Sequence, residues 1–113
     1  MTTAFGKILR GEIPCKKVYE DDLVLAFDDV APMAPVHVLI IPKQAVAGLN
    51  DVTASQAALL GHLLATAKKV AELKGVANSG YRVVVNSGAD GGQSVFHLHL
   101  HVLGGRQLGW PPG

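Results

Sequence analysis

The sequence has little of several things that steer a chain toward particular functions. It holds a single cysteine, Cys15, which excludes an internal disulfide and a paired-thiolate metal site. It lacks a surplus of basic charge: 10 Lys and Arg face 9 Asp and Glu, for a formal net charge of +1. Proteins that grip polymeric nucleic acid usually carry a stronger positive footprint, so that partner is not expected. No apolar stretch reaches membrane-spanning length, and the N-terminus shows no basic segment followed by an apolar core of the secretory kind. The reading is a soluble, cytoplasmic protein of a reducing compartment, with no membrane partner.

What is present is enough for one small domain. With 113 residues, 49% of them hydrophobic, the chain is expected to form a single unit over 1–113. Domains of this size have an unfavourable surface-to-volume ratio, which makes pairing into a homodimer a natural way to bury more apolar surface. Thr3 is placed to cap a short helix carrying Phe5, Ile8 and Leu9 on one face, ending before Gly11. Val18–Tyr19 and Leu23–Phe27 read as a hairpin, residues 28–35 as a proline-stiffened loop, and Val36–Ile41 as a buried strand with one polar intruder, His37.

Thr53-Ala54-Ser55-Gln56 fits a capping box, and a long helix is expected from there to about Lys74, stopped by Gly75. Leu59, Leu63, Ala67 and Val70 form one apolar stripe, and Leu60, Leu64 and Ala71 a neighbouring one, which suggests two packing partners: the sheet and a second subunit. Tyr81–Asn86 and Val95–Leu103 read as an antiparallel pair joined by a Gly-rich turn. The predicted fold is α+β: a mainly antiparallel sheet with one long and one short helix, dimerising through the long helix and an adjoining strand.

The chemistry is concentrated in Phe96-His97-Leu98-His99-Leu100-His101-Val102-Leu103. In a strand this alternation puts His97, His99 and His101 on one face and the apolar residues on the other. Two chemistries compete for such a row. Metal binding suits imidazole, but residues four apart in a strand are roughly 13 Å apart, too far to share one ion with bonds of about 2 Å. A two-histidine site would need help from elsewhere. Phosphoryl or nucleotidyl transfer suits the row better: a neutral imidazole attacks phosphorus while its neighbours orient it and stabilise charge. Upstream, residues 86–94 supply glycines that let backbone approach an anion, and Asn86, Gln93 and Ser94 add polar side chains. This loop lacks the lysine and the spacing of a P-loop.

With these residues in view, the sequence resembles the histidine-triad superfamily, specifically its Hint branch of purine nucleoside phosphoramidases. The likeness runs from Phe5-Gly6-Lys7-Ile8 through Ile40-Ile41-Pro42-Lys43 and Gly91-Gly92-Gln93-Ser94 to the terminal Trp110-Pro111-Pro112-Gly113. The resemblance implies that His99 is the nucleophile, supported by His101 and His97, with His37 a fourth member of the group. It implies that Asp29 holds the ribose hydroxyls, that Phe5, Ile8, Phe27 and Val30 line the base pocket, and that Asn86, Gly92, Gln93 and Ser94 meet phosphate or leaving group. Trp110 would shape the leaving-group side. The implied activity is cleavage of purine nucleoside phosphoramidates, of AMP-amine or aminoacyl-adenylate type, through a nucleotidyl-histidine intermediate, in a homodimer with neither metal nor cofactor. The alternatives are a dimeric nucleotide-binding module whose turnover is incidental, and a zinc protein using two of the histidines.

Overall fold

A computed structural model describes residues 3–113. It contains helix α1 (Ala4–Leu9), strands β1 (Lys17–Glu20), β2 (Val24–Asp28) and β3 (Val36–Pro42), helix α2 (Ala57–Leu73), and strands β4 (Tyr81–Val84) and β5 (Leu100–Gly104). The strands form one antiparallel sheet in the order β1-β2-β3-β5-β4. The α+β architecture read from the sequence is therefore present.

Both faces of the central strands are covered, which is why β2 and β3 are continuously apolar rather than alternating. Val24, Ala26, Val38 and Ile40 point to one face, where α2 lays Leu63, Ala67 and Val70 across them together with Leu98, Leu100 and Val102. Leu25, Phe27, Leu39 and Ile41 point to the other, against Phe5, Ile8 and Leu9 of α1. His37 shares the parity of Leu39 and Ile41, so period-two geometry places it on the α1 face. Leu39 pairs with His101 across β3 and β5, which makes His37 and His101 diagonal neighbours on that face.

The helix signals act as expected, with local adjustments. Thr3 Oγ1 accepts from Gly6 N–H at 3.1 Å and starts α1. The Thr53–Gln56 capping box forms, but it caps a 3-10 turn over Ala54–Gln56 from which α2 continues. Gly75, at φ 74°, ends α2 in a backbone conformation that glycine adopts without steric cost. The second stripe is only partly covered: Ala71 is buried, whereas Leu64 is 58% exposed. A buried polar residue, Thr66, interrupts the pattern; its hydroxyl donates to the His62 carbonyl at 2.7 Å.

Two strands are shorter than the sequence pattern suggests. The pairing of β5 with β3 stops at Leu100 opposite Ile40. Continuing it would set Leu98 against Pro42, which has no N–H to give, and Leu98 N–H donates instead to the Val46 carbonyl at 2.7 Å. Strand β4 ends at Val84 because Asn86 turns into the glycine loop and donates from Nδ2 to the Gly91 carbonyl at 2.7 Å. His97 and His99 therefore precede the paired part of β5, and only His101 lies within it.

Candidate active site

The alternation nevertheless survives in where the side chains go. Leu98, Leu100 and Val102 enter the core under α2. His97 and His99 turn to the α1 face, where the Phe5 ring meets His99 edge-on at a centroid separation of 5.0 Å and His97 at 6.4 Å. Phe5 also packs edge-on against Phe27 at 5.7 Å. His101 lies 5.0 Å from His99 and 5.2 Å from His37, ring to ring. His99, His101 and His37 thus form a chain of contacting rings, to which His97 is joined through Phe5.

Backbone partners assign the proton on each ring, because a carbonyl only accepts and an amide N–H only donates. His97 Nε2 donates to the Pro42 carbonyl at 2.8 Å, the same proline that stops the strand pairing. His99 Nδ1 donates to the carbonyl of His97 at 2.7 Å, which leaves the lone pair on His99 Nε2. His37 Nδ1 accepts from the Met33 N–H at 3.0 Å, so its proton is on Nε2, which lies 2.9 Å from His101 Nδ1. His101 must then accept at Nδ1 and carry its own proton on Nε2. The row presents one imidazole with a free lone pair, His99, beside one with a free N–H, His101.

Electrostatics reinforce this inventory. Burial pushes His101 down to about 4, helped by repulsion from His99 and His37 and opposed by Asp29, so its ring is neutral near pH 7. Burial lowers His97 as well, with the Pro42 carbonyl pulling the other way and His99 adding to the depression.

Asp29, the residue after β2, reaches this group. Its Oδ2 is 3.4 Å from His37 Nε2, while its Oδ1 accepts from Ala31 N–H at 2.9 Å and shapes the loop. Asp29, His37 and His101 each offer a ligand atom, all within 4.8 Å of one another, a cluster that the sequence spacing did not foresee. The proton pattern argues against a metal there. A metal-bound imidazole gives its other N–H to an acceptor, but His37 Nδ1 faces the Met33 N–H, a donor, and ligation through Nε2 would set two N–H groups against each other.

An apolar cleft of about 190 Å³ is lined in part by Phe5, which packs on His99, and Leu39, which pairs with His101. Phe5, Ile8, Phe27 and Val30 line it, as read from the sequence, with Asp29 at its edge. Val30 is 98% exposed, so it forms a rim rather than a wall. Ala4, Ile13, Pro14, Cys15, Asp28 and Leu39 complete the lining; Ile13, Pro14 and Cys15 were missed because the chain between α1 and β1 has no periodicity to mark it.

The glycine loop is held from within. Gly88 N–H donates to Gln93 Oε1 at 3.0 Å, and Gln93 Nε2 donates to the carbonyls of Ala47 at 2.8 Å and Val95 at 3.2 Å. Both Gln93 amide protons are used, so this side chain braces the loop and has no N–H left for a phosphate. A side chain at Gly91 would collide with the Ser87 backbone, and Gly92 adopts φ 80°, which explains the paired glycines. Ser94 is exposed at the loop's end, and Asn86 keeps its amide oxygen and one amide proton beyond the Gly91 contact.

Among the described residues, no ring contact or hydrogen bond links Trp110 to the histidines. Trp110 is 82% exposed and sits with Arg82 of edge strand β4 over its ring at 5.9 Å, while Arg82 donates to the Gly109 carbonyl. His62 bonds Asp21 at 2.7 Å and ties α2 to the turn between β1 and β2. Among the described residues, no helix is long and apolar enough to cross a membrane.

Comparison with known proteins follows the same lines. The model of the HIT domain family matches residues 10–108. The sequence is 62% identical over 111 residues to an uncharacterized HIT-like protein of Synechococcus elongatus, spanning 98% of this chain and 96% of the relative. It is 50% identical over 107 residues to the purine nucleoside phosphoramidase of Escherichia coli K12, spanning 95% of this chain and 90% of that enzyme. Among solved structures, a HIT family hydrolase from Legionella pneumophila superposes with a TM-score of 0.94 at 52% identity, covering 97% of this chain and 98% of that one. A histidine triad protein from Clostridium difficile gives 0.93 at 46% identity, covering 96% and 95%.

Proposed function

The chain belongs to the HIT domain family, and on that footing we propose that it hydrolyses purine nucleoside phosphoramidates and related acyl-nucleotides through a nucleotidyl intermediate on His99. The observation that carries this reading is the His99 imidazole, tied at Nδ1 to the backbone carbonyl two residues upstream and carrying its lone pair on Nε2 next to the ring of His101.

In this account the purine occupies the cleft of Phe5, Ile8, Phe27 and Val30, and the ribose hydroxyls bond Asp29, whose carboxylate is a sound bidentate acceptor. His99 Nε2 attacks phosphorus, a new N–P bond forms, and the bond to the departing amine breaks. The amine leaves with a proton, for which His101 Nε2–H is the neighbouring donor. Water then attacks the same phosphorus, giving one proton back to His101 Nε2 as the His99 N–P bond breaks, and the nucleoside monophosphate is released with His99 and His101 both restored to their neutral forms. Asn86, Gly92 and Ser94 contact phosphate or leaving group, and Gln93 holds the loop that presents them. Neither metal nor cofactor enters the scheme.

The reading includes a homodimer, supported by the apolar surface left on α2, where Leu64 is 58% and Leu73 56% exposed. The test of substrate class is a kinetic screen of adenosine phosphoramidates bearing different amines, run beside dinucleoside polyphosphates. Turnover of the amine conjugates is expected to dominate. A preference for the polyphosphates would assign the site to a different bond.

A further inference from the structure

Met33 is a surface residue whose side chain is 73% exposed, and nothing in its chemistry suggests a role. Its backbone is another matter. The N–H donates to His37 Nδ1 at 3.0 Å, and its carbonyl accepts from Arg106 Nη2 at 3.0 Å, so the residue is held on both sides. The loop that carries it is closed at its ends by the Asp29 N–H bonding the His37 carbonyl at 2.9 Å.

We propose that the Met33 backbone amide, steadied by Arg106, is a positioning element: acting through His37, it fixes the proton of His101 on Nε2, the nitrogen turned away from His37. Resting on the reading of His101 as a donor, the inference extends it to what makes His101 one.

The chain of reasoning uses only donors and acceptors. A backbone amide cannot accept, so His37 Nδ1 is unprotonated and the single ring proton is on Nε2. That proton has two acceptors in reach, His101 Nδ1 at 2.9 Å and Asp29 Oδ2 at 3.4 Å. Whichever it favours, His37 has no lone pair left to receive a proton from His101. The Nδ1–H form of His101 would place N–H against N–H across 2.9 Å and is expelled. Without the Met33 amide, His37 is free to carry its proton on Nδ1 and accept at Nε2, and His101 then loses its constraint. Only one of its two neutral forms has a donor on the Nε2 side, so the amide selects the competent form before substrate arrives.

The experiment is nitrogen-15 NMR of histidine-labelled protein without substrate, on the wild type and on protein with the α-hydroxy analogue of methionine at position 33. That replacement turns the amide into an ester and removes one N–H while keeping the side chain. In the wild type, His37 and His101 should both show unprotonated Nδ1 and protonated Nε2. In the ester protein, His101 should gain Nδ1–H population, and kcat for phosphoramidates should fall roughly 5- to 30-fold, the factor that goes with one ordinary hydrogen bond, with KM little changed.

A wild-type His101 protonated on Nδ1 overturns the proposal, and this holds even if the ester protein does not fold. So does an ester protein whose kcat falls with its tautomers unchanged, or whose tautomers shift with kcat unchanged. Absence of wild-type turnover would instead sink the functional reading, and is told apart because the tautomer is read with no substrate present.

Discussion

The imidazole of His99 donates from Nδ1 to the backbone carbonyl of His97 at 2.7 Å, so the first histidine of the row supports the second through its main chain. The His97 ring meanwhile bonds Pro42 and packs against Phe5, fixing the carbonyl's direction. The orientation of the His99 ring is therefore set by the backbone segment that leads into β5.

Replacement of His99 separates chemistry from binding. His99→Ala should abolish turnover while leaving the affinity for a nucleoside monophosphate largely intact, since base and ribose contacts come from other residues. Calorimetric titration beside single-turnover kinetics checks this. A loss of binding as large as the loss of rate would make His99 a binding residue.

Asp29 tests ribose recognition. Asp29→Ala should weaken binding of a purine ribonucleotide by about 1.5–3 kcal/mol, the range for hydrogen bonds involving a charged group, and the matching 2′,3′-dideoxy analogue far less. Equal losses would mean that Asp29 acts on His37 and the loop rather than on the sugar.

His101 predicts a pH response with a definite sign. Burial holds it near 4 in the folded protein, against an ordinary value of 6.5, so the unfolded chain takes up this proton first. The resulting destabilisation is absent above about 6.5, grows as pH falls toward about 4, and is constant below. In an NMR titration His101 should remain neutral at pH 5.5. A midpoint near 6.5 would show the ring to be hydrated.

The exposed apolar residues of α2 predict self-association. Light scattering at micromolar concentration should report a dimer, and Leu64→Glu should shift it toward monomer while leaving the far-UV spectrum unchanged. A wild-type monomer under those conditions would remove pairing from the account.

Much of this was legible in the sequence because local rules and tertiary packing agree. The Thr3 cap, the Thr53–Gln56 box and the stop at Gly75 use local donors and steric freedom, and all three appear. The histidine row was legible as a face but not as a strand, since its pairing depends on Pro42, more than fifty residues away. Gln93 looked like a phosphate donor because its type says only that it can donate; the carbonyls of Ala47 and Val95 that occupy it are a tertiary fact. The Met33 amide gave no signal at all, because every residue but proline has one.

The central claim is covalent attack by His99, and the most direct measurement is the stereochemical course at phosphorus, using a chiral, isotopically labelled adenosine phosphoramidothioate. Two in-line displacements, by His99 and then by water, predict net retention of configuration. Net inversion would show that water attacks the substrate directly, and would contradict the account even if His99→Ala were inactive.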